Sequence, residues 1–122
     1  SSDPNNCLLS IVIVSRNERE NIARCIESVL RATKDIDDPE IILVDSASTD
    51  GTVEIALRYP IKVLQLRRSW PLSAAAGYYI GFLYSHGKYI QFQAGDTLLD
   101  ESWFKHAIPV LERDCLLYTS PS

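Results

Sequence analysis

Soft-metal chemistry is the first thing this chain has too little for. Its three cysteines (Cys7, Cys25 and Cys115) are odd in number and show no metal-ligand spacing. Cys25 falls in an apolar helical stripe and reads as a buried free thiol, a pattern that fits a reducing compartment. The two histidines, His86 and His106, have no partner in the sequence and are expected at the surface. No apolar run approaches the ~18 residues of a bilayer-spanning helix, and no signal peptide is visible. Positive charge is short as well: 12 Lys and Arg against 16 Asp and Glu leave a net charge of −4, which speaks against a nucleic-acid-binding surface. There is no internal repeat and no linker, so the 122 residues form at most one domain. The chain opens without methionine, so its start is expected to be processed or missing. Residues 1–7 are expected to be disordered. The last residues, 115–122 (CLLYTSPS), resemble translated read-through of sequencing-adapter DNA and are expected to be a non-native tail.

What is present is an alternation of apolar runs and helical patterns. Residues 8–15 (LLSIVIVS) are β-branched and nearly all apolar, as a central strand requires. Asn17 and Glu20 have the spacing of a capping box. Ile22, Cys25, Ile26, Val29 and Leu30 then recur at helical spacing to about Thr33. A second strand spans 40–45. Asp50 is placed to cap a following helix in which Val53, Ile55, Ala56 and Leu57 make apolar contacts before Pro60. A third strand covers 61–66, and residues 67–71 (RRSWP) form a loop. Residues 73–85 read as a helix whose alanines, with Gly77 and Gly81, permit very close packing on a sheet or ligand. A fourth strand covers 89–93, and a last helix or helical turn lies within 98–111. This order predicts an α/β fold: a Rossmann-like, mostly parallel sheet flanked by helices, with right-handed crossovers.

In a parallel sheet the polar ends of the strands project from one edge, where ligands bind. Three such ends are present: Ser15-Arg16-Asn17-Glu18, Asp45-Ser46-Ala47-Ser48 and Ala94-Gly95-Asp96. Their carboxylates and hydroxyls suit hydroxyl-rich ligands and hard cations. A dinucleotide-binding dehydrogenase domain is excluded by the lack of glycine between Ser15 and Glu20. A phosphoacceptor receiver domain is disfavoured because the turn after the first strand carries no acidic pair.

Taken in order, SIVIVSRNERENI, ILVDSASTDGT, SAAAGYYIG and GKYIQFQAGDT resemble the inverting family-2 glycosyltransferases of GT-A fold, over about residues 8–112. The most specific segment is VDSASTDGT. The resemblance implies the nucleotide-sugar-binding part of such an enzyme over 8–114, truncated, with a nucleotide-diphospho-sugar donor and a carbohydrate or lipid-linked acceptor. It implies that residues 14–18, hence Ser15, Arg16, Asn17 and Glu18, hold the nucleotide base, that Asp45 contacts the base, and that Ser46 takes the second position of the turn. Asp45 also reads as a turn-capping carboxylate, while Ser48 and Asp50 read as turn and cap residues. Asp96 matches the last position of the D-x-D motif, implying Mg2+ or Mn2+. The location implied is cytoplasmic, including the inner face of the membrane for a full-length protein.

Two positions depart from the family pattern. Ala94 stands where the first carboxylate of D-x-D is usual, and Tyr78-Tyr79 stand where an Arg, often followed by Asn, faces the pyrophosphate. Each missing charge-assisted contact is worth roughly 1.5–3 kcal/mol, so losing both costs about two decades of affinity or more. Arg67 and Arg68 read as solvated surface arginines. The catalytic base, an Asp or Glu, is expected beyond the chain end; Asp100 and Glu101 come too early and read as N-terminal charges of the last helix. The intact parent is expected to act by direct displacement, a base activating the acceptor hydroxyl. The alternative is a non-catalytic nucleotide-binding or interaction module with a degenerate D-x-D site.

Overall fold

The strand β1 (Leu9–Ser15) sits at the centre of the sheet, and all seven of its residues are buried. A computed structural model describes residues 7–68 and 73–114. β1 pairs in parallel with β2 (Glu40–Ser46) on one side and β4 (Tyr89–Ala94) on the other, and β3 (Lys62–Leu66) pairs in parallel with the far edge of β2. The resulting order is β3-β2-β1-β4, so the connection direction reverses between β1 and β4. Such a reversal opens a crevice beyond the strand ends.

Alternation along β1 divides the core into two layers. Ile11 and Ile13 face a cluster with Ile22, Cys25, Ile26 and Val29 of α1 (Ile22–Ala32), joined by Phe104 of α4 (Trp103–Asp114). Val12 and Val14 face the other side with Ile42, Val44 and Leu66, under α3 (Ala74–Tyr84). The α1 stripe recurs at three and four residues, the spacing of one helix face. The helix α3 lacks such a stripe because it is apolar nearly all round, and Tyr79, Phe82, Leu83 and Tyr84 are exposed. Its glycines decide its orientation: a Cβ on Gly77 would lie 2.9 Å from Val14 Cγ1, and one on Gly81 would overlap the Val12 methyls.

Several expectations need correction. The capping box does not form, because α1 begins at Ile22 after Asn21 and carries no side-chain cap. Asn17 instead adopts a left-handed φ of 51°. The backbone of its turn is drawn to the loop after β2: Asn17 N donates to Ser48 Oγ at 2.7 Å, Glu18 N to Thr52 Oγ1 at 2.9 Å and Arg19 N to Asp50 Oδ2 at 3.1 Å. The helix α2 (Thr52–Ala56) is short, and Leu57 beyond it is 64% exposed rather than packed. Asp50 does cap it, accepting from Thr52 N at 3.1 Å, although the N-cap residue itself is Gly51 at φ 97°. His86 is at the surface but not without a partner: its backbone N donates to Glu40 Oε1 at 2.7 Å and its Nδ1 lies 2.9 Å from Glu40 Oε2. Cys7 accepts a backbone hydrogen bond from Lys88 N at 3.1 Å. The remainder of the N-terminal segment (1–6), the centre of the RRSWP loop (69–72) and the tail (115–122) lie outside the described residues.

Candidate functional site

A cleft of about 200 Å3 opens where β1, β2 and β4 end. Ser15, Arg16 and Glu18 come to it from β1, Ser46 from β2, Asp96 from the turn after β4, and Ala74 from the start of α3. Parallel register is what assembles these residues: Ser15 sits opposite Asp45, and Val14 opposite Ala94. The turn after β4 is tied down because Gly95 N donates to Val14 O at 2.9 Å and Thr97 Oγ1 donates to Ala94 O at 2.7 Å. Two larger clefts, about 310 and 530 Å3, flank α4 away from the strand ends. The larger of them is almost wholly apolar, with Trp103, Phe104 and Ile108 in its wall.

Asp45 is fully buried and lies behind the cleft rather than in its wall. Its Oδ1 accepts from Ser15 Oγ at 2.9 Å and from Ser48 Oγ at 2.5 Å, and its Oδ2 accepts from Ser48 N at 2.8 Å. One carboxylate therefore joins the ends of two strands and shapes the loop between β2 and α2. Ser48 passes the tie on to Asn17, whose own Oδ1 accepts from Thr49 N at 2.9 Å. Asn17 is thus committed to joining the two loops and does not line the cleft. Glu18 lines the cleft while accepting from Asn21 Nδ2 at 3.1 Å.

Ser46 differs from its neighbours. It is 2% exposed, and its hydroxyl has no hydrogen-bond partner, the sole such buried side-chain atom among the described residues. A buried hydroxyl left unpaired costs roughly 1–3 kcal/mol, and Ser46 is among the residues lining the cleft. Arg16 and Asp96 are exposed on the same cleft. Tyr78 turns onto the sheet, edge-on to Phe92 with ring centroids 5.4 Å apart. Burial, and then the negative charge of Asp96, push its phenol pKa upward.

Among the described residues no group of three or more His, Cys, Asp or Glu gathers into a self-sufficient metal site. Asp96 and Glu18 on one cleft nevertheless fit a hard divalent cation of the kind completed by substrate phosphates, which asks only one or two carboxylates of the protein.

Sequence reasoning missed a second polar cluster at the opposite edge of the sheet. Glu40 there accepts from Ser10 Oγ at 2.7 Å and Lys62 Nζ at 2.6 Å, besides His86. The signal available was a polar residue in the first two positions of β1, β2 and β3, namely Ser10, Glu40 and Lys62; Ser10 and Glu40 are register partners. The contribution of Ala74 to the cleft agrees with the close approach that the alanine-rich start of α3 permits.

Residues 10–121 match the family model described as Glycosyl transferase family 2. Over 106 residues the chain is 27% identical to Glycosyltransferase AglE of Haloferax volcanii, an overlap of 84% of this chain and 35% of that protein. The crystal structure of S. aureus TarS 1–349 in complex with UDP-GlcNAc matches with a TM-score of 0.76 at 20% identity, over 87% of this chain and 31% of that one. Mannosyltransferase PcManGT from Pyrobaculum calidifontis, in complex with GDP-Man and Mn2+, matches with a TM-score of 0.74 at 20% identity, over 91% of this chain and 34% of that one. At that identity the two structures share the fold with this chain. The chain spans about a third of the length of the relatives it matches.

Proposed function

The chain belongs to glycosyl transferase family 2, and on that premise we propose that it is the donor-binding part of a glycosyltransferase, taking a nucleoside-diphospho-sugar in the cleft at the strand ends. The observation that carries this reading is the gathering of Ser15, Arg16, Glu18, Ser46 and Asp96 on one cleft, with the buried Ser46 hydroxyl unpartnered among the described residues. A nucleotide supplies both donors and acceptors to such a group. Ser15, Arg16 and Glu18 flank the same space, and Asn17 holds their turn in place. Asp45 contributes chiefly by fixing Ser15 and Ser48 from behind the cleft wall. The complexes of TarS with UDP-GlcNAc and of PcManGT with GDP-Man support the class of donor.

Asp96 is the residue that would hold a divalent cation, Mg2+ or Mn2+, which when bound neutralises charge on the leaving diphosphate. The complex of PcManGT with Mn2+ supports this assignment. The acceptor is a carbohydrate or lipid-linked compound whose hydroxyl oxygen attacks the donor's anomeric carbon with inversion, the bond to the nucleoside diphosphate breaking as the new glycosidic bond forms. No residue on the cleft is placed here as its catalytic base, so this portion binds the donor without completing the reaction. We assign it a cytoplasmic place, including the inner face of the membrane for the full-length protein; among the described residues no helix is long and apolar enough to cross one.

A second reading, a non-catalytic nucleotide-binding module, is favoured by Ala94 and by Tyr78 turning onto Phe92. Calorimetric titration of UDP, GDP and dTDP into the chain, with and without Mn2+, tests the main proposal. Metal-dependent binding of one nucleotide is expected. A folded sample that binds none of the three would overturn it.

A further inference from the structure

Acidic residues are absent from one long stretch of this chain. From Ile55 to Gly95 the sequence has no Asp or Glu, while Arg58, Lys62, Arg67, Arg68 and Lys88 fall within it. That stretch supplies β3, α3 and β4, so the fold turns an asymmetry of sequence into two unlike faces of the sheet. Asp35, Asp37 and Glu101 line the cleft between α1 and α4, on the side away from α3. On the α3 side, Glu40 shares its facing with Ile42 and Val44, and it is buried and paired with Lys62 at 2.6 Å. The helix α3 contains no charged residue. Gly77 and Gly81 turn toward Val14 and Val12. At 3.6 residues per turn this sends Tyr79, Phe82 and Leu83 to the far side of the helix, where they are 61%, 50% and 55% exposed. Arg67 and Arg68 directly follow Leu66 of the α3-side core. Both are exposed, and neither side chain has a hydrogen-bond or ion-pair partner among the described residues.

We propose that the outer face of α3 binds the surface of an anionic lipid bilayer, with Tyr79, Phe82 and Leu83 entering the headgroup region and Arg67 and Arg68 meeting the lipid charge. Exposed apolar side chains gathered on one helix face mark an interaction site. The charges around them select its partner. A second copy of this chain, docked face to face, would offer the arginines no free carboxylate, because the acid on that face, Glu40, is buried and already paired. Cations brought together without acids disfavour such a contact. An anionic bilayer supplies both missing halves, an apolar layer for the three side chains and negative charge for the arginines. Tyrosine suits that depth, since its ring is apolar and its hydroxyl stays wet. The net charge of −4 does not oppose the contact, because the acidic residues that produce it lie outside β3, α3 and β4. Tyr79, Phe82 and Leu83 do not line the donor cleft, so the two surfaces are separable.

Co-sedimentation of the chain with vesicles of phosphatidylcholine, alone or mixed with phosphatidylglycerol, tests the surface at low and high salt. Binding to the mixed vesicles is expected to exceed binding to phosphatidylcholine by about tenfold or more at low salt, and to fall as salt screens the charges. The double variant Arg67→Gln, Arg68→Gln should bind the mixed vesicles about tenfold more weakly or worse, at roughly a factor of five for each cation near an anionic surface. Leu83→Glu, which replaces apolar contact with like charge, should weaken binding by at least about as much. Leu83→Phe keeps an apolar side chain at that position and should retain it. The arginine variant lies outside the helix and decides the matter if Leu83→Glu shifts the thermal midpoint. Weaker binding in both folded variants, with Leu83→Phe unaffected, supports the proposal. No binding to the mixed vesicles overturns it, as does equal binding to both kinds of vesicle. Undiminished binding by the arginine variant overturns it too. A lipid-free dimer in sedimentation velocity that Leu83→Glu dissociates would also overturn it, and would make a second copy the occupant of this face.

Discussion

Ser15 and Asp45, thirty residues apart, share a buried hydrogen bond of 2.9 Å that joins the ends of β1 and β2 directly behind the cleft. The same carboxylate holds Ser48, and Ser48 holds Asn17. One acidic side chain thus ties both loops that flank the candidate nucleotide site, alongside the direct bonds of Glu18 N to Thr52 and Arg19 N to Asp50. Asp45→Ala should cost about 1–3 kcal/mol, the penalty for leaving buried donors without an acceptor. Urea denaturation measures the loss, and nucleotide affinity should fall with it. Unchanged stability would show that the loops hold their shape without the carboxylate.

The approach of α3 to β1 gives a second prediction. Alanine is favoured over glycine within a helix by about 1 kcal/mol, yet Gly81→Ala should destabilise the chain. A Cβ there overlaps Val12, and overpacking of this kind costs roughly 1–3 kcal/mol. Combining Gly81→Ala with Val12→Ala should cost less than the sum of the two single changes. Additive losses in thermal denaturation would place the strain elsewhere.

Glu40 supplies a pH dependence. Burial alone would raise its carboxyl pKa, but hydrogen bonds from Lys62, His86 and Ser10 outweigh burial and bring it from 4.5 down to about 2. A carboxyl depressed in the folded state stabilises the fold above its unfolded pKa and loses that contribution as pH falls through the folded value. Denaturation curves should therefore show stability declining between about pH 4.5 and pH 2. Glu40→Gln should remove that part of the slope, and an unchanged slope would assign the acid sensitivity to other groups.

Ala94→Asp restores a carboxylate two residues before Asp96. It should raise Mn2+-dependent nucleotide affinity by about tenfold or more, given roughly 1.5–3 kcal/mol for a charge-assisted contact and 1.4 kcal/mol per decade. Metal-free affinity should stay the same. Equal affinity of the two forms in Mn2+ would mean that the metal does not sit at this turn.

The strands, the first helix and the rim location of the cleft were legible because each depends on local pattern. The run SIVIVS can be buried on both faces only as a central strand, and the spacing of Ile22, Cys25, Ile26 and Val29 closes one helical face. Polar residues at the ends of parallel strands must gather at one edge, which placed Ser15, Arg16, Ser46 and Asp96 on one cleft. Asn17 and Glu20 misled because their capping spacing is a local signal. Three donors of that turn find acceptors on the loop after β2, and those contacts prevail.

The sequence by itself determined the order of elements, the α/β class and the chemistry at the strand ends, since hydrophobic periodicity and polar termini are properties of neighbours along the chain. Only the tertiary structure decided that Asp45 stands behind the cleft, that Ser46 is left unpartnered, that His86 meets Glu40 from 46 residues away, and that α3 presents its start to the cleft. The physical reason is the same throughout. Hydrogen bonds between distant residues depend on strand register, and the seating of a helix that is apolar all round depends on where glycine leaves room for it.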